Sequence, residues 1–524
     1  MSEYKKFSFL DDFDIPEITH EAIKKELVKV GKSQIIKKKK SLDAMPLESR
    51  LKYIEEQVNL ILGRYKNYIR IITDEQEFNA YIDRAIELDY LSLDTETNNS
   101  LDPLTCKIMG LCLYIPNTKP VYVPINHTKP GTDRLLENQV SEECIKKAFQ
   151  KLKDNNTKIV YHNGKFDVRV CFNVTGIYLP IWWDTMIAAQ LLNENELARL
   201  KYQYKVHVDP TIGTYNIEKL FTGLPYAWVN PEVFALYAAI DAYDTSVLQK
   251  KQQEVFEQDG MENLYRLFRE IEVPTVLVVS KMEDDGICLD LNFLNKLDQK
   301  FKKEMEISKQ KVDNILKPYE HQIEYYQNLG KLEIPVNYDS PAQLNIILYD
   351  ILNTPVPETG KTTDKATLQS LKTPFTEAIL EYRHFAKMIS AFTSPLPEWL
   401  SKKDGKLHAT FNQMGKEDNN VRTGRFSSTN PNLQQIPSRQ KTMRLIFSAS
   451  TDYKNVNADF NIIELNSYSE IEIYDKDKNL VWKNVKELNI GDIIIIIDDM
   501  ENTSAQYNIV DIKNINNKFI IKYN

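Results

Sequence analysis

The sequence lacks several features that would assign its class at once. It has no run of about 18 consecutive apolar residues, and its first residues lack the apolar core of a secretory signal. Its five cysteines are scattered, without the paired spacing of a metal site or a disulfide framework. The net charge of −8 argues against a basic coat over the whole surface but leaves a local basic groove open. These absences predict reduced thiols, a cytoplasmic location and no membrane partner.

The 524 residues are enough for two to four domains, and the pattern changes three times along the chain. We predict a basic, helical leader (1–67), an α/β domain with a mixed sheet (68–253), a mainly helical region (254–466) and a small β-rich tail (467–524). The lysine run at 37–40 fits a nucleic-acid-binding arm or a solvated leader, and both interpretations stay open.

The stretch from Tyr90 to Thr97 is an apolar run that ends in two carboxylates, Asp94 and Glu96. Side chains two apart on a strand point to the same face, so this pair should emerge together at the strand end. Carboxylate oxygens are suitable ligands for Mg²⁺ or Mn²⁺. Alone the pair is a weak signal, because Asp-x-Glu is common.

Two later stretches supply partners for this pair. Asp167 follows a predicted strand at a strand-to-helix turn, and Tyr237 and Asp241 lie four apart on one face of a predicted helix. Four carboxylates and one phenol suit two-metal phosphodiester hydrolysis, in which two cations about 4 Å apart activate water and stabilise the leaving oxygen. We expect Tyr237 to orient the attacking water.

The motifs Asp94-Thr-Glu96, Asn163-x-x-x-Asp167 and Tyr237-x-x-x-Asp241 resemble those of the proofreading 3′-5′ exonuclease domain, which has the DnaQ-like, RNase H-like fold. The resemblance implies two Mg²⁺ or Mn²⁺ ions held by Asp94, Glu96, Asp167 and Asp241. It also implies a single-stranded DNA 3′ end as substrate, with Asn163 among the DNA contacts. We interpret Asp184, in a similar stretch, as a helix cap and not a ligand.

The region after residue 254 is charged and helical. A helix is expected from Leu264 to Asp285, kinked or divided by Pro274, and another from Leu291 to Leu316. The apolar residues that mark the first of these helices are Leu264, Leu267, Ile271, Val278 and Met282. A later helix, 378–394, carries basic residues that either contact DNA phosphates or form an exposed face; they are Arg383, His384 and Lys387.

A polar, donor-rich stretch follows, Thr423-Gly-Arg-Phe-Ser-Ser428 and then Pro431-Asn-Leu-Gln-Gln-Ile-Pro437. It resembles a characteristic segment of family A (DNA polymerase I-like) DNA polymerases, and the helices before it resemble the thumb of that family. The resemblance implies contacts to primer-template DNA from six side chains: Arg383, Lys387, Thr423, Arg425, Asn432 and Gln434. It also assigns Asp459 to the first palm aspartate, a catalytic metal ligand.

No fingers helix and no second palm carboxylate is recognisable after Asn466, so we expect this chain alone not to polymerise DNA. The tail resembles the N-terminal part of an intein of the Hint fold, with Ser467 as the candidate splicing nucleophile. The alternative is a degenerate tail that forms a small β unit.

Three functions remain open at this point. The chain is the N-terminal part of a replicative family A polymerase with exonuclease activity, a precursor half that is active after trans-splicing to a second chain, or a DNA-binding remnant. The expected location is a bacterial or phage-infected host cytosol.

Overall fold

The computed structural model describes residues 45–210, 217–358, 360–414, 424–437 and 441–448, and six strands within 461–523. The chain divides into two compact units, 1–447 and 448–524, and each is described by itself. Among the described residues, no helix combines the length and the hydropathy that a membrane span requires.

The N-terminal part of the first unit is built on a six-stranded mixed sheet, as predicted. The order is β1-β4-β3-β2-β5-β6; β3 is antiparallel to β2 and β4, and the other pairs are parallel. The strands are β1 (Arg70–Ile71), β2 (Leu91–Thr97), β3 (Ile108–Tyr114), β4 (Val121–Pro124), β5 (Ile159–Tyr161) and β6 (Trp183–Asp184).

Helices cover both faces of this sheet. Helices α2, α3 and α4 pack on one face, and α1 and α8 pack on the other. The helices are α1 (Leu47–Leu62), α2 (Glu75–Glu87), α3 (Glu142–Asp154), α4 (Gly164–Thr175), α5 (Thr185–Leu192), α6 (Leu200–His207), α7 (Glu218–Phe221) and α8 (Pro231–Phe256). Asp74 stands just before this helical pattern in the sequence and caps α2, accepting a hydrogen bond from Glu77 N at 2.9 Å.

The register of β2 decides which way the predicted ligands point. Leu93 packs into the core beside α2 to α4. Alternation therefore directs Asp94 and Glu96 to the other face, which α8 covers. Across the antiparallel pairing with β3, Asp94 lies opposite Cys112 and Glu96 opposite Gly110.

The rest of the first unit is mainly helical, with short strands. The helices are α9 (Glu262–Leu267), α10 (Val273–Asp285), α11 (Leu291–Leu316), α12 (Glu320–Asn328), α13 (Pro341–Asn345), α14 (Lys365–Leu371), α15 (Pro374–Met388) and α16 (Lys441–Arg444). The strands are β7 (Cys288–Leu289), β8 (Thr410–Asn412), β9 (Ser427–Thr429) and β10 (Phe447–Ser448). The strand expected over 406–413 is thus only three residues long.

Pro274 divides its helix in an unexpected way. A π-helical turn, Phe268–Glu272, joins α9 to α10 and precedes the proline, which lacks a backbone donor. Of the five apolar positions named above, Leu264 packs against the core, but the other four do not form the buried face, because Leu267, Ile271, Val278 and Met282 are 36–57% exposed. This segment carries apolar residues on two sides, and packing selected the side with Phe268, Val273, Val276 and Val279.

A buried ionic cluster fastens α4 to the end of α10. The Glu283 side chain is fully buried and pairs with both Arg169 and Lys165, the latter at 2.7 Å. Its Oε1 also accepts a hydrogen bond from Phe411 N at 2.7 Å, and Arg169 Nε donates to Asp284 Oδ1 at 2.8 Å. Helix α4 also carries Asp167, so the helix that packs on the sheet beside the predicted site is the one that contacts the helical region.

The second unit contains a six-stranded antiparallel sheet. The sequence 469–485 alternates like two strands around a turn and predicts a hairpin, which is present as β12 and β13. Strand β11 lies within the predicted region 254–466 but pairs with β16 of the tail. The strands are β11 (Asn461–Asn466), β12 (Glu470–Tyr474), β13 (Leu480–Asn484), β14 (Ile493–Asp498), β15 (Thr503–Ile515) and β16 (Lys518–Tyr523).

Candidate exonuclease and DNA-contact sites

The predicted carboxylates meet where β2 passes under α8. Ligand atoms of Asp94, Glu96 and Cys112 lie within 4.8 Å of one another. Burial first, and then the charges of Asp167, Glu96 and Asp241, raise the pKa of Asp94 well above its usual range. The other three predicted carboxylates therefore lie near enough to Asp94 for their charges to act on it.

Asp167 reaches this place from the first turn of α4. Its Oδ1 accepts hydrogen bonds from Thr95 N at 2.9 Å and from Thr95 Oγ1 at 2.7 Å. Burial raises the pKa of Asp167 to about 7, although both bonds to Thr95 act to lower it. Thr95 thereby fixes Asp167 relative to the strand that carries Asp94 and Glu96.

A tight turn between β5 and α4 aims Asp167. Asn163 has left-handed backbone angles, φ 66° and ψ 43°, and is exposed. A side chain at Gly164 would place its Cβ 2.7 Å from Tyr161 Cβ, so this close approach requires glycine. The predicted DNA contact Asn163 lies at the surface of this turn.

Asp184 is a helix cap, as predicted. It is 1% exposed, and its carboxylate accepts from the backbone N–H groups of two helix starts. One oxygen accepts a hydrogen bond from Met186 N at 2.9 Å, and the other accepts one from Gly164 N at 2.8 Å. Asp184 therefore holds the starts of α4 and α5 together.

Helix α8 presents Tyr237 and Asp241 on one face, as their spacing predicts. Tyr237 packs against Phe221 and Phe234, with ring centroids 5.8 and 6.0 Å away. The Asp241 side chain is 20% exposed, which leaves it accessible at the edge of the acidic group. Asn230 caps this helix and Pro231 starts it, so its first turn is fixed by local sequence.

Two charged residues that sequence reasoning missed complete the surroundings. Lys201 on α6 forms an ion pair with Asp241 Oδ1 and lies 3.2 Å from Asp244 Oδ2. Asp244 is 2% exposed. Asp241 and Asp244 lie three apart on one helix, a spacing visible in the sequence, but no motif pointed to Lys201.

The donor set fits hard divalent cations. Asp94, Glu96, Asp167 and Asp241 offer oxygen ligands. Burial, and then the charges of the other three, raise the pKa of Asp94, and a bound cation would favour its ionised form. Cys112 is fully buried, and burial raises the pKa of its thiol well above the usual range. A protonated thiol is a poor ligand for Mg²⁺, so we interpret Cys112 as a wall of the site.

The predicted DNA-contact loop is an exposed surface. Arg425, Asn432 and Gln434 are all exposed. Asn432 Oδ1 accepts from Gln434 N at 3.1 Å, and Gln434 Nε2 donates to Phe426 O at 3.0 Å, so the two ends of the loop are tied together. These side chains are accessible to a nucleic-acid backbone.

The two basic positions on α15 differ. Lys387 is exposed, whereas Arg383 is half-buried and donates to three backbone carbonyl oxygens. Its partners are Tyr338 O at 3.1 Å, Thr363 O at 2.9 Å and Asp339 O at 3.4 Å. These contacts give Arg383 a structural role in the helical region.

Three predicted site residues, Thr423, Asp459 and Ser467, lie outside the described residues. Their roles as a DNA contact, a palm metal ligand and a splicing nucleophile stay predictions.

Comparison with protein families agrees with this arrangement. A model of the 3′-5′ exonuclease family matches residues 69–257, and a model of DNA polymerase family A matches residues 294–483. Over these two ranges the chain is therefore similar to 3′-5′ exonucleases and to family A DNA polymerases, in that order along the sequence. The second match continues beyond Asn466, where the recognisable motifs end.

Individual relatives agree. DNA polymerase I of Borreliella burgdorferi is 29% identical over 497 residues, covering 90% of this chain and 50% of that protein. DNA polymerase I of Synechocystis sp. is 31% identical over 417 residues, covering 76% of this chain and 39% of that protein. The chain thus spans half or less of the length of these relatives.

A solved structure shares the fold. The POL domain of Pol1 from M. smegmatis, in complex with DNA primer-template and dNTP, superposes with a TM-score of 0.54 at 21% identity. The match covers 78% of this chain and 61% of that one.

Proposed function

We propose that this chain is the N-terminal part of a family A DNA-directed DNA polymerase that acts in DNA replication, and that its own activity is metal-dependent 3′-5′ proofreading digestion of DNA. The observation that carries the proposal is the pair Asp94 and Glu96, whose ligand atoms lie within 4.8 Å of each other, with Asp167 and Asp241 near enough for their charges to act on Asp94. The exonuclease family match over 69–257 supports it.

The residues divide the work of hydrolysis. Two Mg²⁺ or Mn²⁺ ions, when bound, supply an activated water and stabilise the leaving oxygen. Asp94 and Glu96 hold these ions from the strand, Asp241 holds them from α8, and Asp167 is kept in place by Thr95. Tyr237 orients the attacking water at the 3′-terminal phosphodiester, with Asn163 beside the DNA strand.

The experiment is digestion of a 5′-labelled single-stranded oligonucleotide by the full chain with Mg²⁺. We expect stepwise shortening from the 3′ end, and Asp94→Ala should lower the rate about 10³-fold because a metal ligand is lost. Asp83→Ala, which removes an exposed carboxylate paired with Lys151, should digest like the parent. Equal rates for Asp94→Ala and the parent would refute the assignment.

We further propose that primer-template DNA binds the exposed loop with Arg425 and Gln434, and that polymerisation needs Asp459 and a second polypeptide. Adding that polypeptide should restore primer extension, and Asp459→Ala should abolish it.

A precursor half that trans-splices is the second candidate; it rests on the resemblance of the tail to the N-terminal part of an intein, and the antiparallel strands of the second unit fit a β-rich tail. A neighbouring reading frame should supply the rest of the intein and the polymerase. Mixing the two products should then yield one longer ligated chain, and Ser467→Ala should prevent ligation; absence of ligation counts against splicing.

A further inference from the structure

A lysine lies against one of the proposed metal ligands. Lys201 projects from α6 onto α8, where its ammonium contacts the carboxylates of Asp241 and Asp244, the second at 3.2 Å. Its side chain is 49% exposed, whereas that of Asp244 is 3% exposed. The ammonium therefore lies at the edge of the acidic group, between an accessible carboxylate and a buried one.

Asp244 has no place in the proposed two-metal set, yet it is a buried acid beside it. Lys201 is the cation that faces this acid, at 3.2 Å from Asp244 Oδ2. A buried carboxylate beside a charged lysine is compensated, and removing the lysine leaves it unpaired.

We propose that Lys201 competes with a divalent cation for Asp241, and that Asp244 is the acceptor that retains the ammonium when the cation binds. The inference rests on the proposed metal site and concerns how that site is loaded. The ammonium donates a hydrogen bond to Asp241 Oδ1 and so occupies one of that oxygen's lone pairs, and its positive charge repels a cation that binds the same carboxylate. Asp244 Oδ2 already lies 3.2 Å from Lys201 Nζ, so the ammonium keeps a partner when it leaves Asp241.

This arrangement has a distinctive consequence. Lys201 relieves repulsion among the carboxylates before metal binds, but its positive charge opposes the binding of a cation to Asp241. Removing the positive charge should therefore make metal binding tighter, whereas loss of a merely structural contact would make it weaker by misplacing Asp241.

The test is titration of the full chain with Mn²⁺ alone, without DNA, followed by calorimetry. Lys201→Met should bind Mn²⁺ about tenfold more tightly, equivalent to about 1.4 kcal/mol. Lys201→Gln should do the same, and Lys201→Arg, which keeps the charge, should resemble the parent. Lys251→Met, on α8 but paired with Glu254 at 2.9 Å, is the matched control and should change nothing.

The role of Asp244 is tested by a double-mutant cycle. Asp244→Asn should weaken Mn²⁺ binding about threefold in the parent but have little effect in the Lys201→Met background, because Asp244 acts through the lysine. Unchanged or weaker binding by both Lys201→Met and Lys201→Gln, with the fold intact by circular dichroism, overturns the proposal. Equal effects of Asp244→Asn in both backgrounds overturn the role of Asp244.

Failure of the proposed function is separable from failure of this inference. Tighter Mn²⁺ binding by Lys201→Met in a chain that digests no DNA would uphold the competition and refute the exonuclease. Normal digestion with no change in Mn²⁺ affinity would uphold the exonuclease and refute the competition.

Discussion

We use the name acidic cleft for the site formed by Asp94, Glu96, Asp167 and Asp241. In this cleft the proposed ligands are held by regular structure, whereas in the loop 424–437 the proposed DNA contacts are exposed side chains near turns. Asp94 and Glu96 end a buried strand, Asp167 starts a helix and is held by Thr95, and Asp241 lies mid-helix. Arg425 and Gln434 are exposed. The cleft concentrates charge at an energetic cost, which suits a site that binds cations. The loop offers hydrogen-bond donors at little energetic cost, which suits a surface that binds the DNA backbone.

This difference predicts unequal sensitivity to single substitutions. A cleft residue acts only in one geometry with its neighbours, so its loss should be severe and specific. A loop residue contributes one of several contacts to a long polyanion, so its loss should be mild and general.

The largest expected effect is at Asp241. Asp241→Asn should lower the rate of single-strand digestion about 10³-fold, or ~4 kcal/mol in the barrier, because a charged metal ligand becomes a neutral amide. Binding of primer-template DNA, measured by fluorescence anisotropy, should stay near that of the parent. A matching loss of DNA affinity would mean that the cleft and the loop form one DNA-binding surface and do not have separate roles.

The second-largest effect is expected from a substitution at the contact between the exonuclease domain and the helical region. Glu283→Ala leaves Arg169 and Lys165 without their shared buried carboxylate, and should lower the free energy of unfolding by about 3 kcal/mol. Chemical denaturation measures this. Glu87→Ala, which breaks an exposed pair with Arg84, is the control and should change stability by less than about 0.5 kcal/mol.

The sequence predicted the cleft better than its surroundings. Strand alternation was enough to pair Asp94 with Glu96, and helical spacing was enough to pair Tyr237 with Asp241, because both are local rules. Lys201 was missed because its ion pairs join residues about 40 positions apart and depend on how α6 packs on α8. The buried face of α10 was missed because apolar residues occupy two sides of that helix, and only tertiary packing selects one.

The folding stability of the metal-free chain should depend on pH, because its carboxylates are crowded together. Because the folded pKa of Asp167 is raised, to about 7, the folded state binds a proton that the unfolded state releases near pH 4. Stability from this group is fully present below about pH 4 and is lost as the pH rises towards 7, with a slope of at most about 1.4 kcal/mol per pH unit for one proton.

Thermal unfolding in EDTA across pH 4–7 measures this slope, and Asp167→Asn should reduce it. Saturating Mg²⁺ should oppose the loss at the upper end of the range, since the cation stabilises the ionised carboxylates. The exposed loop contains no buried acid, so Arg425→Ala should show the same pH profile as the parent. An unchanged slope in Asp167→Asn would assign the effect to other groups.

The smallest effect is expected at Arg425, where the comparison can be refined. Arg425→Ala should weaken primer-template binding by about 1 kcal/mol, with little dependence on DNA sequence, because one exposed charge is lost from a contact with the backbone. The slope of log affinity against log salt concentration should fall by about 1, and digestion of a single strand should be unchanged. Arg134→Ala removes an exposed arginine beside Glu137 in the exonuclease domain and serves as the control, because it should leave affinity and salt slope intact. If Arg425→Ala slows digestion as Asp241→Asn does, the loop takes part in the cleft's chemistry and is not an attachment surface alone.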